Sequence, residues 1–314
     1  MNNHINYIYI CSAGHSGSTL LDMILGSHSK IESLGEIIQL SKNISLNTQC
    51  TCGVPVLSCV VWRKVVDILS DKLNIDIVSN PYALNMGFYN PQIITDNLHT
   101  TIRYKLKRII FRGLRYLELK YQLSFLKPFI SPIYVSLENT VLVYEAVRKV
   151  LQCQMVVDSS KSYQEAIGLY NKYPENTRIL LLYRNGKGVL YSYIKRNFSR
   201  NKSINSWKNH YQRAIPLLKY YVAENHLFRI KYEQIVNDPT AQVKRICAFL
   251  DVEFESDMLN FTNHVHHITN GNNMRFSSSS EIRADNKWSD NLSEKDLAFF
   301  ERKAGDLNRI LGYV

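Results

Sequence analysis

Long apolar runs are missing from this 314-residue chain. No stretch of about 18 consecutive apolar residues occurs, so no transmembrane helix is expected. Internal repeats and low-complexity tracts are also missing, which removes solenoid, fibrous and disordered classes. The opening MNNHINYIYIC has no basic leader region, and its short apolar run breaks at a glycine loop, so a cytoplasmic protein is expected. Cysteine is scarce and shows no paired CxxC spacing: Cys11, Cys50, Cys52, Cys59, Cys153 and Cys247 read as reduced thiols by default. The Gly-Lys-Ser/Thr ending of a nucleotide triphosphatase loop is absent as well.

What is present is an ordinary globular composition, 45% hydrophobic, read as a single domain over 1–314. Lys and Arg exceed Asp and Glu by 38 to 27, a net charge of +11, which favours anionic partners without choosing among them. Apolar periodicity predicts strands at 5–12, in KIESLGEI, in QMVVDSS, in TRILLLYRN and in HLFRIKYEQI, the last ending in Tyr232 and Glu233. Helices are predicted at 18–27, 60–72, 162–172, 186–198, from Pro239 through Leu250, and at 293–311. A mostly helical insert is expected at about 75–150, punctuated by Pro128 and Pro132. Strands alternating with helices predict an α/β fold: a P-loop-like central parallel sheet of four or five strands flanked by helices.

Ligands of such sheets bind at the carboxyl ends of the strands. Four polar segments therefore carry the functional expectation: Gly14–Thr19, Asp158–Lys161, Arg184–Ser192 and Tyr232–Glu233. In SAGHSGST, Gly14 and Gly17 lie three apart with no lysine before Ser18. That leaves a backbone nest and a helix N-terminus, both suited to an anion, with hydroxyl donors from Ser16, Ser18 and Thr19. Arg184 follows the TRILLLY strand, Ser192 comes eight residues later, and Arg196 one further turn on. Together they suit a second, separate phosphate.

The SGST loop combined with Arg-x7-Ser after a central strand resembles the PAPS-dependent sulfotransferases, and the resemblance extends over most of the chain. LFRIKYEQIVNDP is similar to a strand and turn of the tyrosylprotein sulfotransferases, and VVDSSK and HITNGNNMRF resemble segments of bacterial and Golgi relatives. The resemblance implies that the first loop (Gly14, His15, Ser16, Gly17, Ser18, Thr19) holds the 5′-phosphosulfate of PAPS, the product being adenosine 3′,5′-bisphosphate. It implies Arg184 and Ser192, aided by Arg196 and Tyr232, at the 3′-phosphate, and a GNNMR loop with Asn272 and Arg275 closing over the nucleotide. Glu36 matches the Gly-Glu of the tyrosylprotein enzymes and is implied as general base. Lys161 is implied as the charge stabiliser at the bridging oxygen. His15 departs from the pattern, standing where relatives carry Arg or Lys. Asp158 is expected to orient its loop. Glu32, His99 and His210 are alternative ionisable groups outside matching motifs. No metal is required by sulfuryl transfer.

Three further features are read more blandly. Cys50, Cys52 and Cys59 suggest a structural turn or a Cys52–Cys59 disulfide rather than a metal site, and HVHHI suggests loop packing. The basic stretch at 102–120 (Arg103, Lys105, Lys107, Arg108, Arg112, Arg115, Lys120) reads as a solvated face, with apolar partners compatible with a membrane surface or an acidic acceptor. The expected partner is a hydroxyl acceptor, a saccharide or another small or lipid-linked alcohol, with no nucleic acid. The competing readings are a protein-tyrosine sulfotransferase, a P-loop-type kinase and a basic nucleic-acid binder.

Overall fold

The structure is a computed structural model that describes residues 5–88, 98–284 and 286–313, with backbone alone at 88 and 98–105. The first described strand, β1 (Tyr7–Ser12), alternates two kinds of apolar residue. Tyr7, Tyr9 and Cys11 face one core, and Ile8 and Ile10 face the other. A strand apolar on both faces needs cover on both, and that places it in the interior of a parallel sheet. The sheet has the order β2-β3-β1-β4-β5, with β2 at Ile31–Gly35, β3 at Met155–Lys161, β4 at Thr177–Tyr183 and β5 at Leu227–Lys231. All four pairings are parallel. The expected sheet is therefore realised with five strands. The chain first builds to one side of β1 and then crosses to the other, so a crevice opens at the carboxyl ends of β1 and β4.

Helices fill both faces. After α1 (Ser18–Leu25) and the short α2 (Leu40–Ser45) comes α3 (Val60–Leu73), followed by α4 (Leu98–Tyr121) and α5 (Ser131–Leu151) of the insert. The insert is helical as expected, although 89–97 lie outside the described residues. Next are α6 (Tyr163–Lys172) and α7 (Gly186–Ile194), which stops four residues short of the predicted end. The sequence pattern assigns no element to 200–221, yet this segment forms α8 (Arg200–Tyr221). Pro216 interrupts its helical signature, but Ile204, Trp207, Tyr211, Ala214 and Leu218 recur every three or four residues and are all buried. The last helices are α9 (Tyr232–Asn237), α10 (Pro239–Phe249), α11 (Trp288–Asn291) and α12 (Glu294–Ile310). Tyr232 and Glu233 thus open a helix and do not end a strand. One core holds α3, α5, α6, α8 and α12 residues against the tyrosine side of β1, and the other holds α1, α10 and the isoleucine side.

Among the described residues no helix is long and apolar enough to cross a membrane. The basic face expected at 102–120 is not uniformly solvated. Arg115 and Glu118 are buried as an ion pair, and Arg115 also donates to the Tyr134 hydroxyl at 2.7 Å. An arginine in a part-apolar helix interface must be paired, and Glu118 is the partner within reach one turn on. Leu106, Ile109 and Ile110 of the same helix are exposed. The side chains of Arg103 and Lys105, and that of His99, lie outside the described residues.

Candidate active site

One cavity of about 650 Å³ opens at the carboxyl ends of the central strands, lined by the segments that follow β1, β2 and β4, by Lys161 at the end of β3, by the end of α7, by α9, and by residues 271–274 and 281–283. Its rim brings together Gly14, His15, Gly17, Ser18, Thr19, Glu36, Lys161, Arg184, Ser192, Arg196, Tyr232 and Asn272, all anticipated from sequence. Five ammonium or guanidinium groups (Lys161, Arg184, Lys195, Arg196, Arg283) face two carboxylates (Glu36, Glu281), so the cavity suits an anion.

The loop after β1 needs its glycines for space and dihedral angle. Gly17 has φ 89°, and a Cβ there would lie 2.3 Å from the Tyr232 ring. A Cβ on Gly14 would lie 2.6 Å from the Tyr193 hydroxyl. His15 adopts φ 61°, a left-handed value uncommon for a residue with a side chain. Its ring stands edge-on to Tyr193 at 4.4 Å. Burial, followed by the charges of Arg196, Lys161 and Arg184, lowers its pKa to about 4, so the free site holds a neutral imidazole. Ser18 and Thr19 begin α1 at the cavity, and the Thr19 hydroxyl accepts from the Asn272 amide at 3.1 Å. Ser16 does not serve as expected. Its hydroxyl is fully buried and meets the Tyr211 hydroxyl at 3.2 Å, leaving its backbone as its contribution to the loop.

The loop after β4 presents a side chain where the first presents backbone. Arg184 is 7% exposed, stacks its guanidinium 4.5 Å from the centre of the Tyr232 ring, and donates from Nη1 to the His15 carbonyl at 2.9 Å. Tyr232 therefore lies between Gly17 and Arg184. Its neighbour Glu233 accepts from the Asn185 amide at 3.0 Å and from the Tyr313 hydroxyl at 2.8 Å, pinning α9 to the β4 loop. Ser192 lines the cavity from the last turn of α7, donating to the Gly188 carbonyl at 3.0 Å. Arg196 lies beyond the helix end, in a turn closed by the Phe198 amide to the Tyr193 carbonyl at 3.1 Å.

Glu36 and Lys161 meet across the β2 and β3 ends as an ion pair, Nζ donating to Oε1. Gly35 places the carboxylate. Its φ is 67°, and a Cβ there would come within 2.5 Å of the Asn270 carbonyl. Asp158 orients the β3 end as expected, accepting from the Ser160 amide at 2.7 Å and the Tyr144 hydroxyl at 2.5 Å. Burial raises its carboxyl to about 6, against the pull of these hydrogen bonds. The Ser160 hydroxyl in turn accepts from the Ile38 amide at 3.1 Å, joining the Lys161 strand to the Glu36 turn.

Other expected residues lie elsewhere. The Arg275 guanidinium turns back to the Gly271 carbonyl at 2.9 Å and stacks 4.4 Å from Phe276, and it is not among the cavity-lining residues. His210 is half-buried against Tyr163, Tyr211 and Cys11, and desolvation lowers its pKa to about 3. Glu32 is partly buried in β2, its carboxyl raised to about 7 by desolvation. The six cysteines are free thiols, so the expected Cys52–Cys59 disulfide is not formed; Cys50, Cys52 and Cys59 gather instead with His267.

Sequence reasoning missed Lys195 and Arg283 on the rim, and it missed the anchors supplied by α8. The Tyr211 hydroxyl donates to the Leu182 carbonyl at 2.8 Å, receives the Ala13 amide at 3.3 Å and meets Ser16. Trp207 donates from Nε1 to the Arg184 carbonyl at 3.2 Å. The four-residue step from Trp207 to Tyr211 in SWKNHYQRA was the available signal.

The sulfotransferase family model matches residues 132–256, which include β3, β4, β5 and the Arg184–Ser192 pair. The sulfotransferase domain of the Synechococcus PCC 7002 olefin synthase is similar in structure, with a TM-score of 0.52, 15% identity, and 99% of this chain and 96% of that one covered. The sulfotransferase domain from the curacin biosynthetic pathway is similar at a TM-score of 0.50 and 16% identity, covering 99% and 98%. At such identities the likeness establishes the shared fold. No curated protein matches the sequence.

Proposed function

We propose that the chain is a sulfotransferase that transfers a sulfuryl group from PAPS to a hydroxyl acceptor in the cavity at the strand ends, a reading supported by the family model over 132–256 and by the shared fold. The observation that carries this reading is the direct coupling of two anion sites. Arg184 lines the same cavity as the Gly14–Thr19 loop and hydrogen-bonds the His15 carbonyl within it. A ligand with phosphate groups at two ends, a 5′-phosphosulfate and a 3′-phosphate, is the chemistry that suits such a pair.

The chain's residues divide the work. Backbone amides of Gly14–Thr19 and the α1 N-terminus receive the 5′ anion, with Ser18 and Thr19 adding hydroxyls. Arg184, Ser192 and Arg196 receive the 3′-phosphate, and Tyr232 orients Arg184 by stacking. The bound donor supplies the sulfuryl group and a phosphate leaving group. The acceptor oxygen attacks sulfur in line as the bond from sulfur to the bridging oxygen breaks. Glu36 takes the acceptor proton, and Lys161 steadies the negative charge left on the bridging oxygen. Their ion pair in the free site holds both groups at one place, and the acceptor hydroxyl exchanges into it.

A saccharide or another small or lipid-linked alcohol is the favoured acceptor. A role for the insert in choosing it is supported by the contact between Gln164, three residues after Lys161, and α4, in which Gln164 donates to the Arg112 carbonyl at 2.9 Å. The exposed Leu106, Ile109 and Ile110 beside Lys107 support an amphiphilic acceptor or contact with a membrane surface. Calorimetry with adenosine 3′,5′-bisphosphate tests the donor site. Wild type is expected to bind, and Arg184→Ala to lose roughly 10- to 100-fold in affinity, the equivalent of a charge-assisted hydrogen bond. No binding by wild type overturns the reading. A labelled-PAPS screen over saccharides, lipid-linked alcohols and tyrosine peptides assigns the acceptor.

A further inference from the structure

A second constellation lies behind the cavity wall. Cys50, Cys52, Cys59 and His267 place one ligand atom each within 4.8 Å of all the others. Cys59 Sγ is 3.2 Å from His267 Nδ1, and Cys50 Sγ is 4.0 Å from it. A zinc tetrahedron with bonds of about 2.3 Å to sulfur and about 2.0 Å to nitrogen has edges of about 3.5–3.8 Å. The observed separations bracket that edge, whereas a disulfide would bring two sulfurs to about 2.0 Å. Cys50 and Cys59 are fully buried, while Cys52 is half-buried at the edge.

The surrounding structure is built to hold these four atoms. Cys50 and Cys52 sit on a tight turn in which the Gly53 amide donates to the Cys50 carbonyl at 3.0 Å and the Cys50 amide to the Val54 carbonyl at 2.9 Å. Gly53 takes φ 94° there, with nothing within 4 Å of the place a Cβ would occupy, so the glycine serves the turn and not a close contact. Cys59 lies immediately before α3, and the Trp62 indole of that helix donates to the His267 carbonyl at 2.6 Å. Thr51 and Ile268 exchange hydrogen bonds: amide to carbonyl at 3.1 Å in one direction, and amide to the Thr51 hydroxyl at 2.9 Å in the other. The fourth ligand therefore comes from more than two hundred residues downstream, already held in register by the main chain.

We propose that Cys50, Cys52, Cys59 and His267 form a structural zinc site that fastens the 266–272 segment to the 50–59 loop. Three thiolates and one imidazole are a ligand set that zinc prefers, and four protein ligands leave no open position for chemistry. Zinc enters as the divalent ion and the thiols lose their protons to solvent, so binding strengthens as pH rises. The fastened segment continues into the cavity. The Glu36 amide approaches the Asn270 carbonyl at 3.5 Å, Asn43 donates to Thr269 at 3.0 Å, and Asn272 follows on the rim. The metal would thus brace the wall that the general base and the nucleotide loop share, without touching the reaction.

Metal analysis of the full chain, purified and refolded with zinc under reducing conditions, tests this independently of any donor. About one zinc per chain is expected, released by a mercurial reagent in step with thiol modification. Cobalt refolded into the wild-type chain should show thiolate charge-transfer and tetrahedral d–d absorption, a readout that needs no variant to fold. Cys52→Ser should lose that absorption or weaken zinc retention against a chelator at least tenfold, while Cys153→Ser keeps both. A metal-free wild type with alkylatable thiols, a mass two hydrogen atoms lighter from a disulfide, or equal zinc retention in Cys52→Ser overturns the proposal. A failed bisphosphate titration would overturn the donor site and leave the zinc count untouched.

Discussion

The loops after β1 and β4 face the same cavity and use opposite means. The first offers backbone, shaped by left-handed values at His15 and Gly17 and by a missing Cβ that lets Tyr232 lie against it. The second offers a guanidinium, shaped by a stacked ring and a carbonyl partner. Backbone donors survive every substitution except proline and are otherwise only displaced, whereas a side-chain donor can be removed cleanly. The first loop is therefore vulnerable to steric change and the second to loss of charge.

Three tests press on this contrast, beginning with the residue that belongs to neither loop. Glu36→Gln keeps the size of the side chain and one acceptor oxygen for Lys161, and removes both its charge and its ability to take a proton. Turnover should fall by roughly 10²- to 10⁴-fold with bisphosphate affinity nearly unchanged; turnover within a few-fold of wild type would remove Glu36 from the role of base. Gly17→Ala combines a strained φ with a collision at Tyr232, which also stacks on Arg184. Affinity for the bisphosphate should drop by about tenfold or more, matching a strain of about 1–3 kcal/mol. An unaltered titration would show that the loop is not closely shaped.

The smallest effect concerns His15. Its pKa in the free site is lowered to about 4 by burial and three neighbouring cations. A bound anion opposes those cations and raises it. Protons are then taken up on binding, so affinity is fullest below the free-site value and declines as pH rises through the bound-state value. His15→Arg carries fixed charge and should flatten the decline. Calorimetry at a series of pH values measures this; parallel profiles for wild type and variant would mean that His15 acts only as a neutral donor.

Much of this architecture was legible in the sequence because its signals are local. A strand such as TRILLLY declares itself by continuous apolar character, and the glycine loop by the residues that only a tight turn requires. The residues that were misjudged depend on what lies across the fold. Ser16 carries the same hydroxyl as Ser18, but Tyr211 of an unrecognised helix draws it inward. Arg275 was placed near phosphate by its motif, yet the Gly271 carbonyl and Phe276 hold it back. The partner of Cys50, Cys52 and Cys59 could not be read locally, since His267 is brought beside them by the return of the chain past Thr51. Helix α8 was hidden by Pro216 and by a polar composition that masks a narrow buried stripe.

The Tyr211 phenol has a consequence of its own. It is bound at once to the Leu182 carbonyl of β4, to the Ala13 amide at the entrance of the glycine loop and to Ser16 within it. A group tethered in three directions cannot follow an arriving ligand, so neither loop can shift without dragging the other. On the proposed reading, the distance between the two anion seats then behaves as a fixed gauge: a molecule whose charges are spaced to match fits both, and one with the same total charge on a single end fits one.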